Sequence, residues 1–341
     1  MGDKNFKLKK GKVRQSEIEL EAEIPPETLA EHRKLMLEDI KKDFALPGFR
    51  KGNVPESMVL ANISANRLLQ EAADSAIREF YPEIIREAEI SPVSHPEITI
   101  TKLALGNPLE IKIKVAVYPE VDLPNYKKIG KKIWDEREKP AGEEKELGAA
   151  INQIRGMQGI PKAGEKEERF PELTDEDVKK FGDFKDLADF KAKLRENLLE
   201  EKTADFNKRA RDKMVREIVS ESKLELPQLL VGEELAEFQK NFESRLKESG
   251  ETLDKYFERT KKSPEEAGKE QRDYIERSLK TKFVLSAILE KEKLDVPDED
   301  VEREAKHLRA YDHGLSDEAA KAYAKSMLLN EKLFELLEGK E

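Results

Sequence analysis

The sequence predicts two kinds of fold in series: an α+β domain with a three-stranded antiparallel sheet and helices on one face, then an all-α region of long helices. Three observations predict it. Strict two-residue alternation is confined to the first 118 residues, helical apolar stripes fill the chain after Pro171, and proline-broken, lysine-rich sequence lies between.

Glu17 to Ile24 places Glu17, Glu19, Glu21 and Glu23 on one face and Ile18, Leu20, Ala22 and Ile24 on the other, the pattern of a half-buried strand. Pro25-Pro26 opens a helix that Leu29, Leu35, Met36 and Ile40 carry to about Phe44. A longer helical pattern runs from Pro55 to Glu89 through Leu68, Leu69, Ala72, Ala76, Phe80, Ile84 and Ile85. Ile98 to Ile100, the Gly106-Asn107-Pro108 turn, and Leu109 to Val117 with Lys112 and Lys114 on the polar face read as a hairpin. The Glu face of the first strand can pair with the Lys face of the last, at up to about 1 kcal/mol per pair. Residues 1–118 thus form one domain, and residues 119–169 read as a linker with one short helix near Glu143 to Met157. Residues 170–341 carry four stripes: Leu187, Phe190, Leu194, Leu198; Leu235, Phe238, Phe242, Leu246; Ile275, Leu279, Phe283, Ala287; and Tyr323, Met327, Phe334, Leu337. Stripes this narrow predict an open arrangement of long helices. Lys223-Leu-Glu-Leu-Pro227 and Lys293-Leu-Asp-Val-Pro297 echo each other, each reading as an extended segment that ends in a helix-starting proline.

Composition limits function. Of 341 residues 40% are charged and 6% aromatic, and there is no Cys, which excludes disulfides, thiol chemistry and Cys-ligated zinc and fits a reducing cytoplasm. No stretch approaches a membrane span, and Met1 to Lys12 is basic without the apolar run of a signal peptide. The net charge of -10 argues against a general nucleic-acid coat. It is unevenly spread: residues 1–118 hold 18 Lys+Arg and 19 Asp+Glu, the remainder 45 and 54. A polyanion is therefore expected to contact the N-terminal part.

No catalytic signature emerges. His32, His95, His307 and His313 are dispersed, so no metal site is expected, and there is no phosphate-cradling glycine loop or nucleophile elbow. Asp295, Asp298 and Asp300 lack the glycine and terminal glutamate of a calcium loop and read as helix-capping acids. No cofactor is expected.

One loop stands out: Leu46-Pro-Gly-Phe-Arg-Lys-Gly-Asn-Val-Pro55, between two helices. Gly48 and Gly52 permit sharp turns, the prolines stiffen entry and exit, and Phe49, Arg50 and Lys51 occupy the tip, with Lys41 and Lys42 nearby. Arg50 can fork onto a phosphate or carboxylate and Lys51 supplies a point charge, so the tip has the composition of a docking hot spot. An ordinary helix–helix turn with Phe49 folded into the core is the alternative.

These residues resemble trigger factor, the bacterial nascent-chain chaperone family. Gly48-Phe-Arg-Lys-Gly52 with Val54-Pro55 is similar to its ribosome-docking signature, Val117-Tyr-Pro-Glu-Val121 to the exit from its N-terminal domain, and Phe170-Pro-Glu-Leu-Thr174 with Lys180-Phe-Gly182 to the entry into its C-terminal helical domain. The resemblance implies that Phe49, Arg50 and Lys51, bracketed by Gly48 and Gly52, bind the large ribosomal subunit beside the exit tunnel, touching a ribosomal protein and rRNA. It further implies a helical body with two arms that shelters unfolded nascent chains without ATP, and makes a homodimer off the ribosome plausible. The sequence departs from the family in one respect. The FKBP-type prolyl isomerase domain expected between linker and C-terminal helices is missing, because Ile160-Pro-Lys-Ala-Gly164 passes directly to Glu165-Lys-Glu-Glu-Arg-Phe170 and the only Trp, Trp134, sits in the lysine-rich linker. The expectation is a chaperone without enzymatic activity; a ribosome-independent holdase for export-bound proteins and a residual prolyl isomerase are the alternatives.

Overall fold

The computed structural model describes residues 6–140, 144–157, 173–312 and 314–340. Ile160 to Glu172 and His313, which the sequence reading used, lie outside the described residues. The chain divides into two compact units, the first joining Met1–Asp122 to Lys223–Leu285, the second joining Leu123–Ser222 to Ser286–Glu341.

In the first unit, β1 (Lys7–Lys10) and β2 (Glu17–Ile24) precede helices α1 (Pro26–Asp43), α2 (Glu56–Asn62) and α3 (Ala65–Glu87), then strands β3 (Glu97–Lys102) and β4 (Leu109–Ala116). The sheet is antiparallel with order β1-β2-β4-β3. The expected three strands are four. β1 escaped the alternation test because Lys7-Leu-Lys-Lys10 has one apolar side chain; charge pairs it instead, Lys7 reaching Glu23 at 3.1 Å and Lys9 reaching Glu21 at 2.9 Å.

The β2–β4 register sets Glu19 opposite Lys114 and Glu21 opposite Lys112. The polar face therefore becomes a ladder in which Lys112 lies 3.1 Å from Glu19 and 3.3 Å from Glu21, and Lys114 lies 2.7 Å from Glu17. The other face buries Ile18, Leu20, Ile24, Leu109, Ile111, Ile113 and Val115 against Leu69, Ile77, Phe80 and Ile84 of α3. Ala72, Ala73 and Ala76, fully buried, let that helix approach closely. The single helix read over Pro55–Glu89 is two, because Ser64 turns extended and its side chain accepts from the Arg67 N–H.

The same unit takes in α8 (Gln228–Glu248), α9 (Leu253–Thr260) and the first part of α10 (Pro264–Glu292), which follow α4–α7 in the chain. Pro227, at the α8 N-cap, makes no side-chain cap hydrogen bond. The sheet supplies one: Glu17 of β2 accepts from the Leu229 N–H at 2.6 Å. Burial works against the Glu17 charge, but Lys114 and this N–H outweigh it and hold its carboxyl below the ordinary value of 4.5. Around it, Ala116 packs with Leu230, Val231, Ile275, Leu279 and Phe283.

The second unit holds α4 (Tyr126–Asp135), α5 (Glu144–Met157), α6 (Asp175–Phe181), α7 (Leu187–Glu221), α11 (Asp298–Tyr311) and α12 (Asp317–Glu338). The lysine-rich passage read as linker is therefore a helix. Asn125 caps it, and Tyr126, Gly130, Ile133 and Trp134 bury one face against α7 and α12. Leu147, Ile151, Leu173, Val178 and Phe190 form a second core and Val296, Val301, Ala305, Ala320 and Ala324 a third. Arg211 of α7 forks onto Glu331 at 2.8 and 3.0 Å and donates to the buried Glu338 at 2.7 Å. The repeated Lys-Leu-acid-apolar-Pro segments both precede helices, with Pro227 and Pro297 at the N-cap rather than inside the first turn.

Glu17→Gln is expected to cost about 1 kcal/mol, from the loss of a charged acceptor and an ion pair. A carboxyl held below 4.5 contributes its stability above that pH and loses it as pH falls through the lower folded value. Urea unfolding should therefore show a wild-type advantage at pH 7 that fades below pH 4.5; a gap unchanged down to acid pH would contradict the assignment.

Candidate functional site

The loop between α1 and α2 is anchored at its flanks and free at its tip. Val54 is fully buried with Leu37, Val59 and Leu68, and Phe44 and Leu46 pack on the same cluster. Three backbone bonds hold the turn: Phe49 N–H donates to Leu46 O at 3.0 Å, Gly52 N–H to Phe44 O at 3.1 Å, and Asn53 N–H to Arg50 O at 2.9 Å. Gly48 and Gly52 stand at φ +92° and +81°, and a Cβ on Gly52 would lie 3.2 Å from the Lys42 carbonyl oxygen, so both positions require glycine.

Phe49, Arg50 and Lys51 all lie on the surface, Phe49 with 39% of its area exposed. Phe49 is not folded into the core. The cations are not equivalent. Lys51 pairs with Asp43 at 2.8 Å and holds the Asp43 carboxyl below its ordinary value, and Lys42 pairs with Asp39 at 2.6 Å. Among the described residues Arg50 and Lys41 make no ion pair, which leaves the guanidinium beside Phe49 able to fork onto an incoming anion. Sequence reading found the cations and missed the two aspartates, whose i,i+3 or loop-spanning partners depend on the turn geometry.

Among the described residues no group of three or more acids and histidines is placed to hold a metal ion. His32 is buried instead, its Nδ1 3.0 Å from Ser75 Oγ and its Nε2 3.5 Å from Glu79. Nor is any described helix long and apolar enough to cross a membrane.

Two family models match the chain: bacterial trigger factor protein over residues 6–154 and bacterial trigger factor protein C-terminus over residues 186–339. The chain belongs to the trigger factor family. The trigger factor of Carboxydothermus hydrogenoformans is 26% identical over 408 residues, covering 94% of this chain and 95% of the relative, and that of Halothermothrix orenii is 24% identical over 400, covering 93% of each. A solved structure, reported as "Promiscuous Substrate Recognition in Folding and Assembly Activities of the Trigger Factor Chaperone", aligns with a TM-score of 0.61 at 17% identity, covering 98% of this chain and 99% of the other. The first alignment is longer than the 341-residue chain, so that relative carries residues with no counterpart here. Only residues 155–185 separate the two family matches, fewer than the roughly 40 an unaided domain needs. The chain lacks the middle isomerase domain.

A second surface was only half legible in the sequence. Phe238 and Phe242 of α8 stack at 6.4 Å, Tyr274 of α10 lies 5.7 Å from Phe238, Tyr256 of α9 lies 5.0 Å from Phe242, and Phe257 lies 5.7 Å from Tyr256. The first two sat on a stripe; Tyr256 and Phe257 belong to a helix with no buried residue, and Tyr274 is 55% exposed. These rings contact one another at the surface, leaving apolar faces open to a partner.

Because the anchor and the tip divide their roles, Val54→Ala should cost about 1–3 kcal/mol by urea unfolding, whereas Phe49→Ala should stay within about 0.5 kcal/mol. Equal losses would place Phe49 in the core.

Proposed function

We propose that this chain is an ATP-independent chaperone that docks on the large ribosomal subunit near the exit tunnel and holds emerging unfolded polypeptides. The observation that carries the reading is the loop tip: Phe49 and Arg50, the latter unpaired among the described residues, exposed beside Lys51 on a turn whose flanks are buried, in a member of the trigger factor family. An aromatic anchor supplies apolar area, and Arg50 with Lys51 supplies phosphate or carboxylate contacts. Residues 1–118 would attach, residues 119–169 connect, and the helices of residues 170–341 would hold clients in arm-like elements. Promiscuous substrate recognition, which the aligned trigger factor structure reports, suits a surface of half-exposed rings: each contributes modest, reversible contact, and release needs no nucleotide. The setting is cytoplasmic, with ribosomal protein and rRNA as docking partners.

We also propose that the chain is not a prolyl isomerase, since the two family matches leave no room for that domain. A proline-peptide isomerisation assay is expected to run at the uncatalysed rate.

Docking is tested by co-sedimentation with ribosomes. Phe49→Ala/Arg50→Ala/Lys51→Ala should lose tenfold or more in affinity, about 1.4 kcal/mol or above, while retaining suppression of client aggregation. Equal sedimentation of both proteins would refute docking through the loop. Loss of aggregation suppression as well would place client holding in the same loop.

A further inference from the structure

The docking reading assigns polyanion contact to the loop tip and leaves the rest of an acidic chain to avoid it. Helix α4 does not fit that division. Its polar face is Lys127, Lys128, Lys131 and Lys132, all exposed, in a protein of net charge -10. Several cations close to it are paired. Lys127 reaches Glu292 at 2.9 Å, Arg211 takes Glu331 and Glu338, and Lys340 takes Glu338 at 2.6 Å while lying over the Trp134 ring. Among the described residues the ammonium groups of Lys128, Lys131 and Lys132 have no such partner. Asp135 and Glu136, one turn on, form no ion pair with them, and lysine N-terminal to acid is the weaker order on a helix.

Three cations at i, i+3 and i+4 repel one another, and a helix tolerates this only where its other face is firmly held. Here it is. A Cβ on Gly130 would lie 2.5 Å from the Leu337 carbonyl oxygen, Tyr126 Oη donates to Glu292 at 2.6 Å, and the buried Trp134 carries the Arg137 guanidinium 3.8 Å from its ring centre. The lysines therefore project from a fixed platform. Lys128 and Lys132 are four residues apart, a rise of about 6 Å, close to two phosphate steps along one strand of a nucleic-acid helix at about 3.4 Å per charge.

We infer that Lys128, Lys131 and Lys132 of α4 form a second polyanion-docking surface, and that its occupant is the phosphodiester backbone of structured RNA. The chemistry of the face selects that occupant. Its rings, Tyr126 and Trp134, are buried with Ile133, and only the half-buried Ile129 is apolar beside them, so it offers no ring for base stacking and no broad apolar face for a lipid surface. Lysine point charges without arginine forks suit sequence-independent contact with phosphate.

The test is fluorescence anisotropy of the full chain with a labelled RNA duplex across a salt series. Lys128→Gln/Lys131→Gln/Lys132→Gln should bind roughly tenfold or more weakly at low salt, and its slope of log affinity against log salt should shrink by about 2 to 3, near one per phosphate contact. Lys128→Arg/Lys131→Arg/Lys132→Arg should bind as wild type, which separates charge from folding. Arg50→Gln/Lys51→Gln tests the loop separately, so failure of either surface leaves the other readable. An unchanged slope in the glutamine variant would overturn the inference. So would displacement of the RNA by poly-glutamate at equal charge concentration, which would make the occupant an acidic polypeptide.

Discussion

The first unit depends on a reciprocal pair of backbone hydrogen bonds. Asp122 N–H donates to Lys223 O at 2.9 Å and Lys223 N–H to Asp122 O at 3.1 Å, closing an excursion that runs from residue 123 to residue 222. Closing a flexible loop of that length costs about 4 kcal/mol beyond a constant, an upper bound because the excursion is itself folded. Two backbone bonds at about 1 kcal/mol net each do not offset it. The apolar cluster beside them does: Leu230, Val231, Leu279 and Phe283 are nearly or fully buried, at about 1.5–3 kcal/mol per large side chain. The bonds set register and the cluster supplies the energy. Glu17 adds direction, because a carboxylate on β2 completes the start of α8 where Pro227 cannot. The four-stranded sheet and the aromatic surface on α8, α9 and α10 thereby belong to one compact unit although about a hundred residues separate them in the chain.

The functional reading follows from where burial stops. In the α1–α2 loop, Phe44, Leu46 and Val54 turn inward and Phe49 does not, although all four are apolar and lie within eleven residues. On α4 the same division separates Tyr126, Ile133 and Trp134 from the lysines. In both places a buried face holds a charged one in fixed geometry, which reduces the ordering cost of binding.

Much of this was legible in the sequence. The alternation of Glu17–Ile24 and Leu109–Val117 gave the strands, their faces and the Glu–Lys pairing, and helical spacing gave most buried residues of α3 and, in α10, Ile275, Leu279 and Phe283. It failed elsewhere: Leu35 of α1 and Tyr323 and Met327 of α12 are exposed, and α7 and α8 bury Ala210, Met214, Ile218, Leu230 and Val231, which lay off the stripes. Where one signal was weak, the structure departed. β1 has a single leucine, which packs on the core, and is otherwise held by its backbone ladder to β2 with exposed Lys–Glu pairs beside it, which periodicity does not register. The break at Ile63-Ser64 is a capping event inside an unbroken apolar pattern. Helix α4 read as linker because prolines flank it and lysines dominate, yet Ile129, Ile133, Trp134 and Tyr126 already stood at helical spacing. In the α1–α2 loop the cations were plain, but the pairing of Lys51 with Asp43 requires the turn that Gly48 and Gly52 make.

The account stands or falls on what lies against Phe49 when the chain acts. A photo-reactive phenylalanine analogue placed at Phe49, with the same analogue at the exposed Leu105 of the β3–β4 turn as reference, can be irradiated with ribosomes and the products identified. The account predicts adducts with protein or RNA of the large subunit from position 49 and few from position 105; equal, scattered labelling from both positions would contradict it.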